Sequence, residues 1–209
     1  QIAAAYDSKG LPIVPEVTVF MDGQLYRGNR TTKRNAEHFS AFNSYNYPAL
    51  ARAGVHITYN HQFIEPLGNY SRPLHLFKRF DTRVAILKLF PGITENVVAA
   101  VLNIPDLRGV VLETFGSGNA PTAQWLCDII SEATASGIVT VNVTQCRAGS
   151  VEMGHYEASV NLIKAGVVSG HDITLEAAVA KLMFLLGKYD SAEEVKREMA
   201  VPLRGEMTV

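Results

Sequence analysis

Cysteine is scarce in this sequence, and Cys127 and Cys146 form neither a C-x-x-C pair nor a disulfide framework. Such sparse use is typical of a reducing compartment, where thiols stay free, and predicts a cytoplasmic protein. An excess of either charge is also missing, because the formal net charge is −1. No global field therefore attracts nucleic acid or an anionic membrane. A long apolar run of about 18 residues is absent too, so no membrane span is predicted.

Histidine spacing gives no indication of a metal site. The six histidines include neither an H-x-x-x-H nor an H-E-x-x-H pattern. Those spacings place two imidazoles on one face of a helix, where they can share a metal ion. We therefore expect no bound metal.

The first residues, QIAAAY, lack a methionine, a signal-peptide pattern and an N-cap residue ahead of the apolar run. This favours the last turns of a helix whose beginning lies outside the chain. A secreted protein matured at Gln1 is the alternative, but such a protein more often pairs its cysteines. The expectation is a truncated chain.

Three stretches of different character follow. The segment PEVTVFMDGQLYRG predicts a β-hairpin, because Asp22-Gly23 supplies the positive φ angles of a two-residue turn. NAEHFSAFNSYNYPALARAG predicts short helical pieces broken around Pro48. The pattern then dissolves, so we predict a first region over residues 1–58 and a linker over residues 59–82.

From Arg83 onward, apolar runs alternate with helical patterns. VAILKLF, GVVLETF and GIVTVNV are apolar on both faces, as expected of strands in a covered parallel sheet. The intervening segments TENVVAAVLN, the stretch opening at Thr122 and EASVNLIKAG show helical periodicity. DITLEAAVAKLMFLLG predicts a buried helix capped by Asp172 or Thr174, and SAEEVKREM a polar final helix capped by Ser191. The predicted fold class is α/β, with a parallel sheet flanked by helices over residues 83–209.

The stretch GSGNAP follows the apolar run that ends at Phe115. In open parallel sheets, ligands bind at the carboxyl ends of the strands, and glycines let the backbone approach a ligand closely. Ser117 and Asn119 offer a hydroxyl and an amide, and the helix opening at Thr122 offers its N-terminal amides. A tight glycine-rich corner held by Asn119 explains the same residues without a ligand.

Polar residues also follow the next predicted strand. Thr144, Gln145 and Cys146 are expected beside Ser117 and Asn119 if the two strands are neighbours. Cys146 with His155 fits a nucleophile and base, but no third residue orients them, which favours a reduced, partly buried thiol.

Two further charged stretches have purely structural explanations as well as functional ones. In SGHDIT, His171 is expected at a helix entrance and Asp172 at its cap. The basic stretch RGNRTTKR fits an anion site, although a solvated or interface cluster is commoner. It has no interleaved aromatic residues, so it does not predict a nucleic-acid surface.

Seven segments in order resemble the bacterial cytosolic (type I) L-asparaginases over nearly the whole chain. They are VTVFMDGQLYRGNRTTK, SAFNSYNYPALARAG, FPGI, ETFGSGNAP, VNVTQC, AGVVSGHDITLEAAVAKL and LRGEMT. The resemblance implies a two-domain α/β fold in which residues 1–58 are the end of the catalytic N-terminal domain and residues 83–209 the C-terminal domain. The hairpin is then a remnant of the N-terminal domain.

The same resemblance implies where the chemistry lies. The family's nucleophilic threonines belong to T-G-G-T and G-T-D-T motifs, and neither motif occurs in this sequence. We therefore assign no catalytic residue to this chain and predict that it is inactive alone. Asn119 matches the asparagine of the family's G-x-G-N segment, which reaches the substrate bound by a neighbouring subunit, and Ser117 lies beside it.

A second, regulatory asparagine site is also implied for some type I members. Thr144 and Cys146 lie where such an effector pocket is expected. Glu113, on the same edge, is acidic where a basic group suits a carboxylate better.

The expected function is thus part of a homodimeric or homotetrameric asparaginase that hydrolyses L-asparagine to L-aspartate and ammonia. The resemblance implies no metal or organic cofactor, and no nucleic-acid or membrane partner. The alternatives are a non-catalytic amino-acid-binding or assembly module and a subunit of a transfer-RNA amidotransferase. The absence of a basic or aromatic nucleic-acid surface disfavours the latter.

Overall fold

The computed structural model describes residues 1–68, 75–154 and 157–209, which divide into two compact units. The first unit is Gln1–Leu76 and the second is Phe77–Val209. The division falls inside the segment 59–82 that the sequence suggested as a linker. Phe63 and Ile64, within that segment, pack on the core of the first unit.

The first unit is built on a four-stranded antiparallel sheet with the strand order β1-β2-β5-β6, beside a two-stranded sheet of β3 and β4. A 3-10 turn at Ile2–Ala4 precedes them. The strands are β1 (Thr18–Met21), β2 (Gln24–Arg27), β3 (Thr32–Lys33), β4 (Phe42–Asn43), β5 (Ala51–Ala53) and β6 (Ile57–Tyr59).

The predicted hairpin is confirmed. Met21 pairs with Gln24, and Asp22 and Gly23 adopt φ angles of 51° and 72° between them, as a type I′ turn requires. The helical pieces expected in residues 35–54 are wrong, because β4 and β5 occupy that stretch. Ala51 pairs with Leu25 of β2 and Tyr59 of β6, so long-range pairing overrides the helical propensity of ALARA.

Two arginines of this unit are buried. Arg27 and Arg30 are each 3% exposed, and both guanidinium groups lie over the ring of Tyr47, 4.5 and 4.8 Å from its centroid. Arg27 also forms an ion pair with Glu16 and donates to the Phe63 carbonyl at 3.1 Å. The expectation of a solvated basic cluster is therefore wrong for these two arginines.

The second unit contains a four-stranded parallel sheet with the order β10-β9-β8-β7. Its strands are β7 (Val84–Lys88), β8 (Gly109–Thr114), β9 (Val139–Thr144) and β10 (Val168–Ser169). Its helices are α1 (Glu95–Leu102), α2 (Gln124–Ala135), α3 (Glu157–Lys164), α4 (Leu175–Lys188) and α5 (Ala192–Met199). The α/β fold class predicted from the sequence is confirmed.

Hydrophobic clusters cover both faces of this sheet. Leu112 of β8 belongs to the cluster formed with α1, α2 and α3, whereas its neighbour Val111 belongs to the cluster formed with α4 and α5. Adjacent residues of one strand thus serve opposite faces, which explains the continuous apolar runs. No helix in the described parts of the chain is long and apolar enough to cross a bilayer.

The helix ends differ in detail from the sequence prediction. Helix α2 begins at Gln124, two residues later than expected, and Ala123 at its N-cap has no side-chain oxygen to cap it. Thr174 caps α4 by accepting a hydrogen bond from the Ala177 amide at 3.2 Å, so Asp172 is not the cap. Ser191 is the N-cap residue of α5 but makes no side-chain capping bond.

The segment that leads into β7 lies directly on α4. The Asp81 amide donates to the Met183 carbonyl at 3.0 Å, and Asp81 forms an ion pair with Arg108 at 3.1 Å. Near the end of the helix, a methyl group at Gly187 would lie only 2.5 Å from the carbonyl oxygen of Arg79. Glycine at this position therefore allows the two backbones to approach closely.

A buried ion pair holds the C-terminal tail. The ammonium of Lys181 in α4 lies 2.8 Å from the Glu206 carboxylate, and both side chains are almost completely buried. Lys181 also donates to the carbonyls of Met199 and Val201, and Glu206 accepts from the amides of Leu203 and Arg204. The tail is fixed by charge-assisted hydrogen bonds on every side of this pair.

Candidate functional site

The candidate site lies where β8 and β9 end. The two strands are parallel neighbours with Thr114 opposite Thr144, so the residues after them meet at one edge of the sheet. The segment from Phe115 to Ala123 connects β8 to α2 at this edge. The structure thus brings the GSGN segment beside Thr144 and Cys146, as the order of apolar runs suggested.

The backbone of this segment closes a tight corner. The Phe115 amide donates to the Asn119 carbonyl, and the Asn119 amide donates to the Phe115 carbonyl, both at 2.8 Å. The Gly118 amide also donates to the Phe115 carbonyl, at 3.1 Å. The corner expected from its glycine content therefore exists, but it does not exclude a binding role.

Three successive carbonyls of the corner are held from outside it. The Thr144 hydroxyl donates to the Gly116 carbonyl at 2.5 Å, and the Glu152 amide donates to the Ser117 carbonyl at 2.9 Å. The side-chain amide of Asn142 donates to the Gly118 carbonyl at 3.1 Å. The corner is consequently fixed to the sheet and to the segment around Glu152 before any ligand arrives.

The Asn119 side chain holds a buried acceptor at this corner. Its side-chain oxygen Oδ1 is buried and has no hydrogen-bond partner in the described residues. A buried acceptor without a donor costs about 1–3 kcal/mol, so such groups usually await a water, an ion or a ligand. The Asn119 amide oxygen can thus accept a hydrogen bond from a donor outside the described residues.

The other predicted site residues have narrower roles in the structure. Ser117 is half-buried and contributes its carbonyl to the anchoring. The Thr144 hydroxyl donates to the Gly116 carbonyl and accepts from the Cys146 amide at 3.0 Å. The Cys146 side chain is exposed, so the prediction of a partly buried thiol is wrong. His155, weighed as a base for Cys146, lies outside the described residues.

The charge at this edge is balanced in a way that the sequence did not suggest. Glu113 pairs in register with Lys88 of β7, and the Lys88 ammonium lies 3.4 Å from the Glu113 carboxylate. The Gln145 amide donates to the carbonyls of Leu89 and Glu113, at 2.6 and 2.9 Å. The acidic side chain noted in the sequence therefore has a basic neighbour, which only the strand register reveals.

The SGHDIT segment supports the site and holds no catalytic triad. His171 has a φ of 52°, donates its amide to the Ser169 hydroxyl at 3.1 Å, and accepts the Val151 amide at 2.9 Å. Burial lowers the pKa of the His171 imidazole; Asp172 opposes this and Lys181 adds to it. Asp172 accepts the Thr208 amide at 2.6 Å, which connects the segment to the C-terminal tail.

No group of three or more His, Cys, Asp or Glu side chains suited to a metal ion occurs in the described residues. The edge offers the buried amide oxygen of Asn119 and the hydroxyl of Ser117, beside the Lys88–Glu113 ion pair. This set suits a small zwitterionic or amide-bearing ligand, which needs a few fixed donors and acceptors. The sequence did not predict a role for Asn142. The only signal for it is that an asparagine interrupts the valine-rich run VTVNVT.

Two family models match the chain. The Glutaminase/Asparaginase C-terminal domain matches residues 83–199, and the N-terminal Asparaginase model matches residues 2–65. Together they confirm the resemblance that the sequence segments carried.

Individual proteins are similar over nearly all of the chain. It is 42% identical to the 60 kDa lysophospholipase of Mus musculus, over 96% of the chain and 35% of that protein. It is 39% identical to L-asparaginase 1 of Escherichia coli K12, over 98% of the chain and 60% of that protein. The chain thus spans roughly a third to three fifths of the curated relatives it matches.

A solved structure shows the same relation. The crystal structure of L-asparaginase I from Vibrio cholerae matches with a TM-score of 0.87 at 40% identity, covering 94% of this chain and 58% of that one.

Proposed function

This chain belongs to the glutaminase/asparaginase family, and on that premise we propose that it is part of an asparaginase that hydrolyses L-asparagine to L-aspartate and ammonia. The observation that carries the proposal is the buried, unpartnered amide oxygen of Asn119 at the carboxyl edge of the parallel sheet. The α-ammonium of a bound amino acid is a donor that suits this acceptor. Binding would then remove the cost of about 1–3 kcal/mol that the empty acceptor carries.

The proposed division of labour places the attacking group on another part of the protein. A threonine hydroxyl outside this chain attacks the side-chain amide carbon of asparagine, the C–N bond breaks, and ammonia leaves. Water then hydrolyses the acyl ester, which releases aspartate and restores the hydroxyl. The domain of residues 83–209 closes the active site of a neighbouring subunit, with Asn119 in contact with substrate and Ser117 beside it.

The assembly proposed is a homodimer or homotetramer in the cytoplasm, acting without a metal or organic cofactor and without nucleic-acid or membrane partners. It follows that the 209-residue chain alone has no asparaginase activity. Thr144 and Cys146 are proposed as part of an effector pocket between subunits. The Lys88–Glu113 pair supports this, because the ammonium of Lys88 provides the cationic group that Glu113 does not.

The direct test joins this chain to the part of E. coli L-asparaginase 1 that it does not match, and measures ammonia release from asparagine. We expect activity in the joined protein and none in the chain alone. Turnover by the chain alone would contradict the division of labour. Lysophosphatidylcholine is assayed in parallel because of the mouse relative's name, and its hydrolysis without asparagine hydrolysis would overturn the substrate.

The contribution of Asn119 is tested in the same joined protein. Asn119→Ala is expected to lower kcat/KM about 5- to 150-fold, the range that corresponds to an unpaired polar group of the substrate. Asn103→Ala is the matched control, because Asn103 is an exposed asparagine at the end of α1. Equal losses in the two variants would remove Asn119 from the site.

The non-catalytic module is separated from the enzyme by a binding measurement on the chain alone. A stable monomer that binds asparagine unaided, together with a joined protein that stays inactive, would favour the module. Restored amide hydrolysis favours the enzyme.

A further inference from the structure

Asn142 is a polar residue in the middle of an apolar sheet. It lies in β9 within VTVNVT, and its side chain is completely buried. A valine would suit the same position in the sheet, and a buried amide is costly unless its donor and acceptor are both satisfied. The position of this amide therefore calls for an explanation beyond packing.

Both ends of the Asn142 amide are used. Its oxygen accepts the Thr114 hydroxyl at 2.7 Å, and its nitrogen donates to the Gly118 carbonyl at 3.1 Å. Since a carbonyl accepts only from the NH₂ end, the contact with Gly118 and the donation from Thr114 together fix the orientation of the amide. The pair forms a rigid bridge from two strands to the corner that carries Asn119.

Gly118 allows the backbone of the corner to come close to Asn142. Gly118 has a φ of 105°, and a methyl group there would lie 3.2 Å from the Asn142 amide nitrogen and 2.7 Å from the side chain of Val151. Only glycine allows the backbone to approach Asn142 this closely in this conformation. The glycine and the asparagine are thus two halves of one contact.

We propose that Asn142 is a positioning residue that holds the 118–119 peptide so that the Asn119 side chain faces the substrate. The inference rests on the proposed function. Asn119 follows Gly118 directly, so rotation of that peptide would move the amide oxygen that accepts the ligand. Fixing the peptide in advance removes an ordering cost from binding, and a small misplacement of a binding group is expensive.

The activity test uses the joined protein and Asn142→Leu, which keeps the side-chain size and removes both hydrogen bonds. We expect KM for asparagine to rise at least tenfold and kcat to change less. Thr114→Val, a milder variant that removes only the orienting hydroxyl, should shift KM in the same direction. Thr140→Val is the control, because Thr140 is buried in the same strand and its hydroxyl has no partner in the described residues.

A double-mutant cycle separates positioning from a general structural role. If Asn142 acts through Asn119, Asn142→Leu should change KM less than twofold when Asn119→Ala is already present. Full additivity of the two changes would overturn the proposal, since it would mean that Asn142 acts independently of the ligand-binding amide.

Hydrogen exchange on the 209-residue chain tests the bridge without any activity. Asn142→Leu should speed exchange at the amides of Gly118 and Asn119 at least tenfold, and Thr140→Val should leave them unchanged. Faster exchange in the chain, together with a joined protein that does not hydrolyse asparagine, would defeat the proposed function and leave the bridge intact. Unchanged exchange would overturn the bridge whatever the activity.

Discussion

Each of the two units of the chain is stabilised internally by a different kind of interaction. In the first, the buried cluster of Leu25, Leu50 and Ala51 is small, and two buried arginines lie over Tyr47, which packs against it. In the second, two large hydrophobic clusters cover both faces of the sheet. Its buried polar side chains include Thr114 and Asn142 near the site corner and Lys181 and Glu206 at the tail.

This contrast shows where a local change will spread. With a small apolar core, each polar contact contributes a larger share of the free energy of unfolding. Removing one partner of a buried ion pair lowers that free energy strongly, because the other charge is left buried without a partner. A large core distributes the loss, because each side chain supplies a smaller fraction of the total. The first unit should therefore be the more fragile towards changes of charge, and the second towards loss of volume.

Arg27→Ala should have the largest effect and would break the first unit. The change leaves the Glu16 carboxylate, 8% exposed, without its counter-charge, at a cost of about 3–5 kcal/mol. Denaturant unfolding followed by hydrogen exchange should show the loss among amides of residues 1–68. Arg52→Ala is the control, since Arg52 is exposed on β5 of the same sheet and should change stability by about 0.5 kcal/mol or less. Equal losses would contradict the central role of the buried pair.

Leu182→Ala is the corresponding test of the second unit. Leu182 is completely buried in the cluster on the α4 face, and its truncation leaves a cavity that costs about 2–5 kcal/mol. The free energy of unfolding should fall by that amount without loss of the fold. Val97→Ala, at a position 42% exposed on α1, should cost much less. A loss below about 1 kcal/mol for Leu182→Ala would show that volume is not what holds this unit.

Gly118→Ala and Gly116→Ala compare two positions of the site corner. Both residues have positive φ angles, of 105° and 50°, but only at Gly118 would a methyl group clash, because Gly116 has open space around it. Gly118→Ala should therefore be less stable than Gly116→Ala by about 1–3 kcal/mol. Thermal unfolding of the two variants side by side measures this difference, and equal midpoints would refute the close approach.

Glu206→Gln tests the polar lock of the second unit, with the smallest expected effect. Burial raises the pKa of Glu206, but the hydrogen bonds from Lys181 and from backbone amides outweigh it, so the pKa lies below its ordinary value of 4.5. A lowered carboxylate pKa stabilises the fold above that value and loses its contribution as the pH falls through the folded pKa. The stability gap between wild type and Glu206→Gln should thus narrow as the pH falls from 7 towards 3.

Urea unfolding at several pH values measures that gap. Glu193→Gln is the control, because Glu193 is 81% exposed in its pair with Lys196. A gap that stays constant with pH for Glu206→Gln would mean that the carboxylate charge does not hold the tail.

The elements that the sequence predicted correctly depend on local chemistry. The Asp22-Gly23 turn forms because its residues favour positive φ. Strands β8 and β9 form because both are rich in valine and are almost entirely buried. The strands within residues 35–54 were missed, since Ala51 becomes a strand residue only by pairing with residues far along the chain. Local propensity carries no information about such partners.

The same distinction applies to the candidate site. The GSGN corner was found because glycines after an apolar run mark a strand end, and the resemblance singled out Asn119. The bridge of Thr114 and Asn142 was not found, because Asn142 in β9 contacts Gly118 in the loop that follows the neighbouring strand β8. The two residues are far apart in the sequence. Lys88 was missed for the same reason, as its approach to Glu113 follows from the register of β7 and β8.

The close crossing at Gly187 has a further consequence for how this protein can vary. The segment before β7 packs on α4 so closely at Gly187 that no space remains for a Cβ atom there. Any larger residue at 187 would lift the Arg79 peptide and pull on the Asp81–Arg108 contact two residues later. The lack of a side chain at residue 187 therefore determines how closely the segment before β7 packs on α4. Related sequences should tolerate insertions before Arg79 far better than a side chain at residue 187.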